Sequence, residues 1–182
     1  MQITYQHLFY ALLVQLTMAG QLRAQQTADV RQVRWGFSPK LVKEAESLKP
    51  TSTRKDKIVY SRVPLVNRTG GLEYDFNGDS LLSATYYYYT TPSITQSDVT
   101  AASTELEGLL AEKYGPGKIV QVGELRTVNW LTPRTQIRLA LGNVDRGWSL
   151  EIVYLCRVCS GDPKVDSQTK GSWKAKKEIN DL

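Results

Sequence analysis

The sequence predicts an α+β fold, two helices packed on an antiparallel sheet in the order αβββαβββ. Three observations predict it. Two stretches, near residues 39–49 and 97–114, carry apolar residues at helical spacing behind good capping residues. Six stretches alternate apolar and polar residues at strand spacing. The pair Asn77-Gly78 marks a tight reversal between two of them, because both residues tolerate positive φ. Two helices on one face would cover a single apolar side of the sheet. The order also reads as two αβββ halves, sharing one sheet or forming two.

A chain of 182 residues with 41% hydrophobic and 23% charged residues suits one globular domain. Residues 1–24 read as an export signal, with an apolar run at residues 8–18 and small residues Ala19, Gly20 and Ala24 for cleavage, favoured after Ala24. The run is too short to span a bilayer, so no stable transmembrane anchor is expected. No lysine or arginine precedes it, a departure from the usual signal pattern, and an uncleaved amphipathic helix or anchor is the alternative. No cysteine follows it, which argues against a lipid anchor. Residues 25–34 read as a flexible lead-in, 35–159 as a single domain, and 160–182 as a lysine-rich mobile tail in which Trp173 stands out.

The first helix, about residues 39–49, has Ser38 as N-cap, Pro39 in the first turn and a Phe37–Val42 staple. Leu41, Val42, Ala45 and Leu48 share its apolar face. A strand over 58–66 follows, with Val59, Val63 and Leu65 on one face and Ile58 and Tyr60 on the other. Pro64 marks an edge or a bulge. Asn67-Arg68-Thr69 matches the glycosylation sequon, for which a turn is sufficient explanation. The hairpin over 71–90 places Leu72, Tyr74 and Phe76 on one face. A two-residue turn would add Leu81, Ser83 and Thr85 to that face. A three-residue loop would add Leu82, Ala84, Tyr86 and Tyr88, which buries more apolar area and is preferred. Either register puts two of the four consecutive tyrosines on each face.

The second helix starts at Thr95 or Ser97, buries Val99, Ala102, Leu106, Leu109, Leu110 and Tyr114, and stops at Gly115-Pro116-Gly117. Three strands follow. Residues 125–131 contain Val128 and Trp130. Residues 135–141 point Ile137, Leu139 and Leu141 inward, with Gln136, Arg138 and Ala140 outward. Residues 148–156 point Trp148, Leu150, Ile152 and Tyr154 one way, with Val153 and Leu155 suggesting partial cover on the other. Arg138 and Glu151 are set to pair across strands.

The chemistry these residues allow is narrow. His7 is the only histidine and lies in the signal. The exported chain would therefore lack the commonest general base and the commonest metal ligand. Histidine-dependent nucleophilic catalysis and histidine zinc sites are excluded within one chain. Net charge falls by one from +5 on removing Arg23, a mild and dispersed excess that does not argue for nucleic acid. Cys156 and Cys159 suggest a structural disulfide in an exported protein. Fully extended, the pair would lie roughly 10 Å apart, so bridging needs a turn at Arg157-Val158. Free or intermolecular thiols are the alternative. A redox pair would want the start of a helix, and none is expected there. Glu73, Asp75, Asp79, Glu124, Asp145 and Glu151 read as solvated acids, with nothing pairing two of them in a cleft. No cofactor, metal or catalytic residue is assigned.

The patterns Trp35-Gly36-x-Ser38-x-x-x-Val42, Tyr74-x-Phe76 and Lys113-Tyr114-Gly115 resemble a class of small exported bacterial proteins, with Pro116 one place early. The order of elements is also similar to BamE-like envelope modules and to the β-lactamase-inhibitor-protein architecture. That resemblance implies a module that binds other proteins and carries no catalytic set. The residues alone give the same leading expectation: a secreted or periplasmic, non-enzymatic binding or assembly module for an unknown protein or glycan of the cell envelope. Its binding surface would be the aromatic strand Tyr86, Tyr87, Tyr88 and Tyr89 with Trp148 and Arg138. A small envelope enzyme using acids on glycans, and a thiol-redox protein using Cys156 and Cys159, are the rival expectations.

Overall fold

The computed structural model describes residues 28–144 and 147–159. The expected export signal and the lysine-rich tail lie outside the described residues. One helix, α1 (Pro39–Ala45), precedes four strands: β1 (Ser52–Thr53), β2 (Lys57–Leu65), β3 (Arg68–Asn77) and β4 (Ser80–Tyr89). A longer helix, α2 (Gln96–Tyr114), precedes four more: β5 (Lys118–Val122), β6 (Leu125–Leu131), β7 (Thr135–Val144) and β8 (Gly147–Cys156). All eight strands join one antiparallel sheet in the order β1-β2-β3-β4-β8-β7-β6-β5.

This corrects the expected fold class. The molecule is sheet-dominated rather than a balanced layer of two helices on six strands. The αβββ unit is wrong because each helix leads into four strands, not three. The two extra strands, β1 and β5, are the sheet's edges. β1 has only two residues, and all five residues of β5 are exposed. Neither shows the alternation of burial by which a strand is recognised in sequence. The first helix also stops early. Glu46, its C-cap, turns out at φ −84° and ψ 133°, leaving a helix of 7 residues. Leu41, expected on its buried face, is 45% exposed.

One cluster forms the core. It gathers Val42 of α1, Val99, Ala102, Leu106 and Leu110 of α2, and one side of every strand from β2 to β4 and from β6 to β8. Both helices therefore cover the same face. In α2, Thr95 and Asp98 form a reciprocal capping box: the Thr95 hydroxyl accepts from the Asp98 amide, and Asp98 accepts from the Thr95 amide at 2.7 Å. Leu109, expected inside, is exposed.

Two bulges decide which residues reach the core. In β2 the register slips between Ser61 and Val63, where Arg62 has φ 59°. The extra residue puts Ile58 and Tyr60 on the same face as Val63 and Leu65. The expected split of these residues between faces is thereby corrected, and Val59 goes to the opposite side. In the β3–β4 hairpin, Asn77 pairs with Ser80, and Gly78 takes φ 58° in a two-residue turn. A slip then follows, with Phe76 opposite Leu81 and Asp75 opposite Ser83. Leu81 thus joins the core, and past the bulge so do Ala84, Tyr86 and Tyr88. The tight turn and the more hydrophobic register coexist because the bulge absorbs the one-residue difference.

The expected loose lead-in is packed over its described part. Val30 and Val33 are 4% and 0% exposed. Asp29 accepts from the Trp35 amide at 3.0 Å and from Arg134 Nε at 2.7 Å. The Trp35 indole donates to Thr135 Oγ1 at 2.9 Å. Gly36 donates to the Leu81 carbonyl, and Leu81 donates to that of Phe37. These bonds strap the segment before α1 to the turn between β6 and β7 and to the start of β4.

Candidate functional site

The core face holds a buried polar knot beneath the end of α1. Arg31 Nε donates to both carboxylate oxygens of Glu46, at 2.9 and 3.1 Å, and its Nη1 donates to the Tyr86 hydroxyl at 3.2 Å. The Tyr74 hydroxyl donates to Glu46 Oε1. Tyr60 stands edge-on to Tyr74, with ring centroids 6.0 Å apart, and its hydroxyl is buried without a partner among the described residues. Burial and then Glu46 push the Tyr60 hydroxyl up to about 12. Burial, with the bond to Glu46, pushes Tyr74 further up, and burial likewise raises Tyr86 and Tyr154. Burial opposes the Arg31 charge, but Tyr86 and Glu46 outweigh it and hold its pKa above the usual value. Here Tyr74, Tyr86 and the ion pair satisfy one another and close the core, and Tyr60 packs against them.

The opposite face of the sheet carries no described helix. Its strand residues alternate with the core residues, so β3 offers Gly71, Glu73 and Asp75, and β4 offers Thr85, Tyr87 and Tyr89. The Tyr87 ring lies over Gly71, which is opposite it in register and has no side chain to obstruct it. Tyr87 and Tyr89 stack, with centroids 6.1 Å apart and planes 13° from parallel, and Tyr89 is 44% exposed. Lys57 bridges Glu73 and Asp75 beside them, and Ser83 donates to Asp75 at 2.9 Å. Burial works against the Lys57 charge, but the two carboxylates hold its pKa above the ordinary value.

Further across this face, Arg138 stands opposite Val153 and Glu151 opposite Ala140. The expected cross-strand pair is therefore diagonal. Burial lowers the pKa of Arg138, and Glu151 partly offsets that. Arg138 Nε is buried and has no hydrogen-bond partner among the described residues. Leu82, Ala140, Val153 and Leu155 are buried residues outside the core cluster, and they give this side an apolar strip among its polar groups.

The sheet therefore divides the six surface residues read from sequence. Tyr87, Tyr89 and Arg138 share the helix-free face. Tyr86 and Tyr88 belong to the core, and Trp148 packs against it. Sequence reasoning missed Lys57 and Gly71 as parts of this surface. Only their register opposite Asp75 and Tyr87 places them there.

Cys156 is the last residue of β8, and the chain bends through residues 157–159. Its sulfur lies 2.06 Å from that of Cys159, with Cα atoms 5.8 Å apart, within bridging range. Arg157 N donates to the Arg134 carbonyl, so this turn is held beside the one between β6 and β7. Among the described residues, no cluster of three or more histidine, cysteine, aspartate or glutamate residues could hold a metal ion. No helix among them is long and apolar enough to cross a membrane. Comparison of the chain with family models, curated proteins and solved structures finds no match.

Proposed function

We propose that this chain is an exported, non-catalytic binding module of the cell envelope, which takes a protein partner on the sheet face opposite its helices. The observation that carries the reading is the stacked Tyr87–Tyr89 pair on the helix-free face, with Tyr89 44% exposed. Tyrosine and arginine are enriched where protein interfaces concentrate their energy, and a stacked pair loses little rotamer freedom on binding. The resemblance of the Trp35–Val42, Tyr74–Phe76 and Lys113–Gly115 patterns to small exported bacterial proteins supports export. So does the signal-like character of residues 1–24. Arg138 puts a cation on the same face, and a guanidinium pairs well with a carboxylate.

The test is capture from native cell envelopes with a carboxyl-terminal tag, at low and moderate salt, using the native chain beside Tyr89→Ala and Arg138→Ala. The expected result is one stoichiometric, salt-resistant protein. Tyr89→Ala should weaken it at least tenfold, the loss expected of an interface hot spot. An empty capture, or a partner indifferent to both substitutions, would reject the reading.

A further inference from the structure

The two edges of the sheet are built differently. At one edge, β1 is two residues long, and β2 behind it is bulged at Arg62 and carries Pro64, all devices that blunt an edge. At the other edge, β5 runs five residues with no proline and no bulge. Its apolar side chains are open on both faces, with Ile119 55%, Val120 43% and Val122 59% exposed.

The direction of its free backbone groups can be read from its neighbours. The Val120 carbonyl accepts from Thr127 Oγ1 and the Lys118 carbonyl from Asn129 Nδ2, both on β6. Residues 118, 120 and 122 therefore turn their backbone groups toward β6, and Ile119 and Gln121 turn theirs outward. Two outward residues separated by one are the repeat an antiparallel strand needs to exchange four main-chain hydrogen bonds.

We propose that β5 pairs with β5 of a second copy of this chain, antiparallel about a two-fold axis through Val120, which joins two sheets edge to edge. Ile119 then meets Gln121 of the mate, and Lys118 meets Val122. The charges select a second copy over an unrelated strand. Lys118 is the only charge within β5, and Glu124 lies just past its other end, in the turn to β6. Both are exposed and neither is in an ion pair among the described residues. The two-fold axis sets each Lys118 diagonally across from the mate's Glu124 and keeps the two lysines apart. A parallel mate would align like charges instead. Five paired residues bury well under the roughly 1,200 Å² of a standard interface, so the dimer is weak and builds up with concentration.

The test is sedimentation velocity of the full chain from micromolar to near-millimolar concentration, with amide hydrogen exchange on the same samples. Reversible dimers are expected, with exchange at Ile119 and Gln121 slowing as dimer forms. Gln121→Pro removes one outward N–H and leaves the β6 bonds intact, so it should weaken dimerisation at least tenfold. Unchanged amide exchange along β6 would show that β6 has kept its place. Lys118→Glu and Glu124→Lys should each weaken the dimer several-fold at low salt, and the double variant should restore it. A chain that stays monomeric throughout overturns the proposal, as do dimers indifferent to Gln121→Pro or a double variant that fails to recover. Partner capture on the helix-free face is read separately, so either result stands without the other.

Discussion

Glu46 shows how much one residue can hold in this molecule. As a C-cap it ends α1, and as an acceptor it neutralises Arg31 and receives the Tyr74 hydroxyl. Glu46 is buried but Arg31 keeps 25% of its side chain exposed, so removing Glu46 leaves Arg31 partly hydrated and costs about 1–2 kcal/mol, mostly through the lost Tyr74 and Arg31 hydrogen bonds. Glu46→Ala should therefore lower stability by that order, measured as the urea midpoint at constant slope. Tyr60 has the opposite balance. Its hydroxyl is buried without a partner among the described residues, so deleting that oxygen relieves an unsatisfied group. Tyr60→Phe should raise stability by about 1 kcal/mol. A loss on making it would mean that the oxygen has a partner in solution. Residues of this kind are hard to read from sequence: the spacing of Leu41, Val42, Ala45 and Leu48 leaves Glu46 off the apolar face, and its buried role depends on Arg31, fifteen positions earlier.

At the scale of elements, the turns and helix ends carry the testable strain. Val66 sits between β2 and β3 with φ 55°, a conformation that costs a β-branched residue about 1–2 kcal/mol. It is 41% exposed, so little burial is lost on replacing it. Val66→Asn should stabilise the hairpin by about 1 kcal/mol, read as a higher Tm. Gly117 is constrained from outside. A Cβ there would come within 2.6 Å of Trp130 Cε2, and the Trp130 indole already donates to the Gly115 carbonyl at 2.8 Å. Gly117→Ala should push the ring away, cost about 2 kcal/mol and shift the tryptophan emission. The Gly-Pro-Gly motif marked the end of α2 in sequence, but its second role as a seat for Trp130 needs β6 to be in place.

Across the whole molecule, burial ties the tyrosines to pH. Tyr60, Tyr74, Tyr86 and Tyr154 all have pKa values raised above the ordinary value of about 10. The folded chain then holds protons that the unfolded chain releases once the pH passes 10. Their contribution is complete below that pH and is lost as the pH climbs toward the folded values. Stability should therefore be flat through neutral pH on their account and fall steeply above about pH 10. Denaturation midpoints against pH, with phenolate absorbance followed in parallel, would show it. A tyrosine absorbance that titrates near 10 with no loss of stability would contradict it.

Local sequence determined the caps at Ser38 and Thr95, the stop at Gly115, the strand alternation of β7 and β8, and the assignment of two tyrosines in β4 to each face. These depend on contacts between residues close in the chain, where periodicity and capping chemistry are visible. Tertiary structure decided the rest: which tyrosines are inside, where β2 and β4 bulge, that the segment before α1 is strapped down, and that β1 and β5 extend the sheet. Each of those is a choice of pairing between distant strands. A one-residue slip reverses every side chain at no local cost, so only the shared core beneath both helices can settle it.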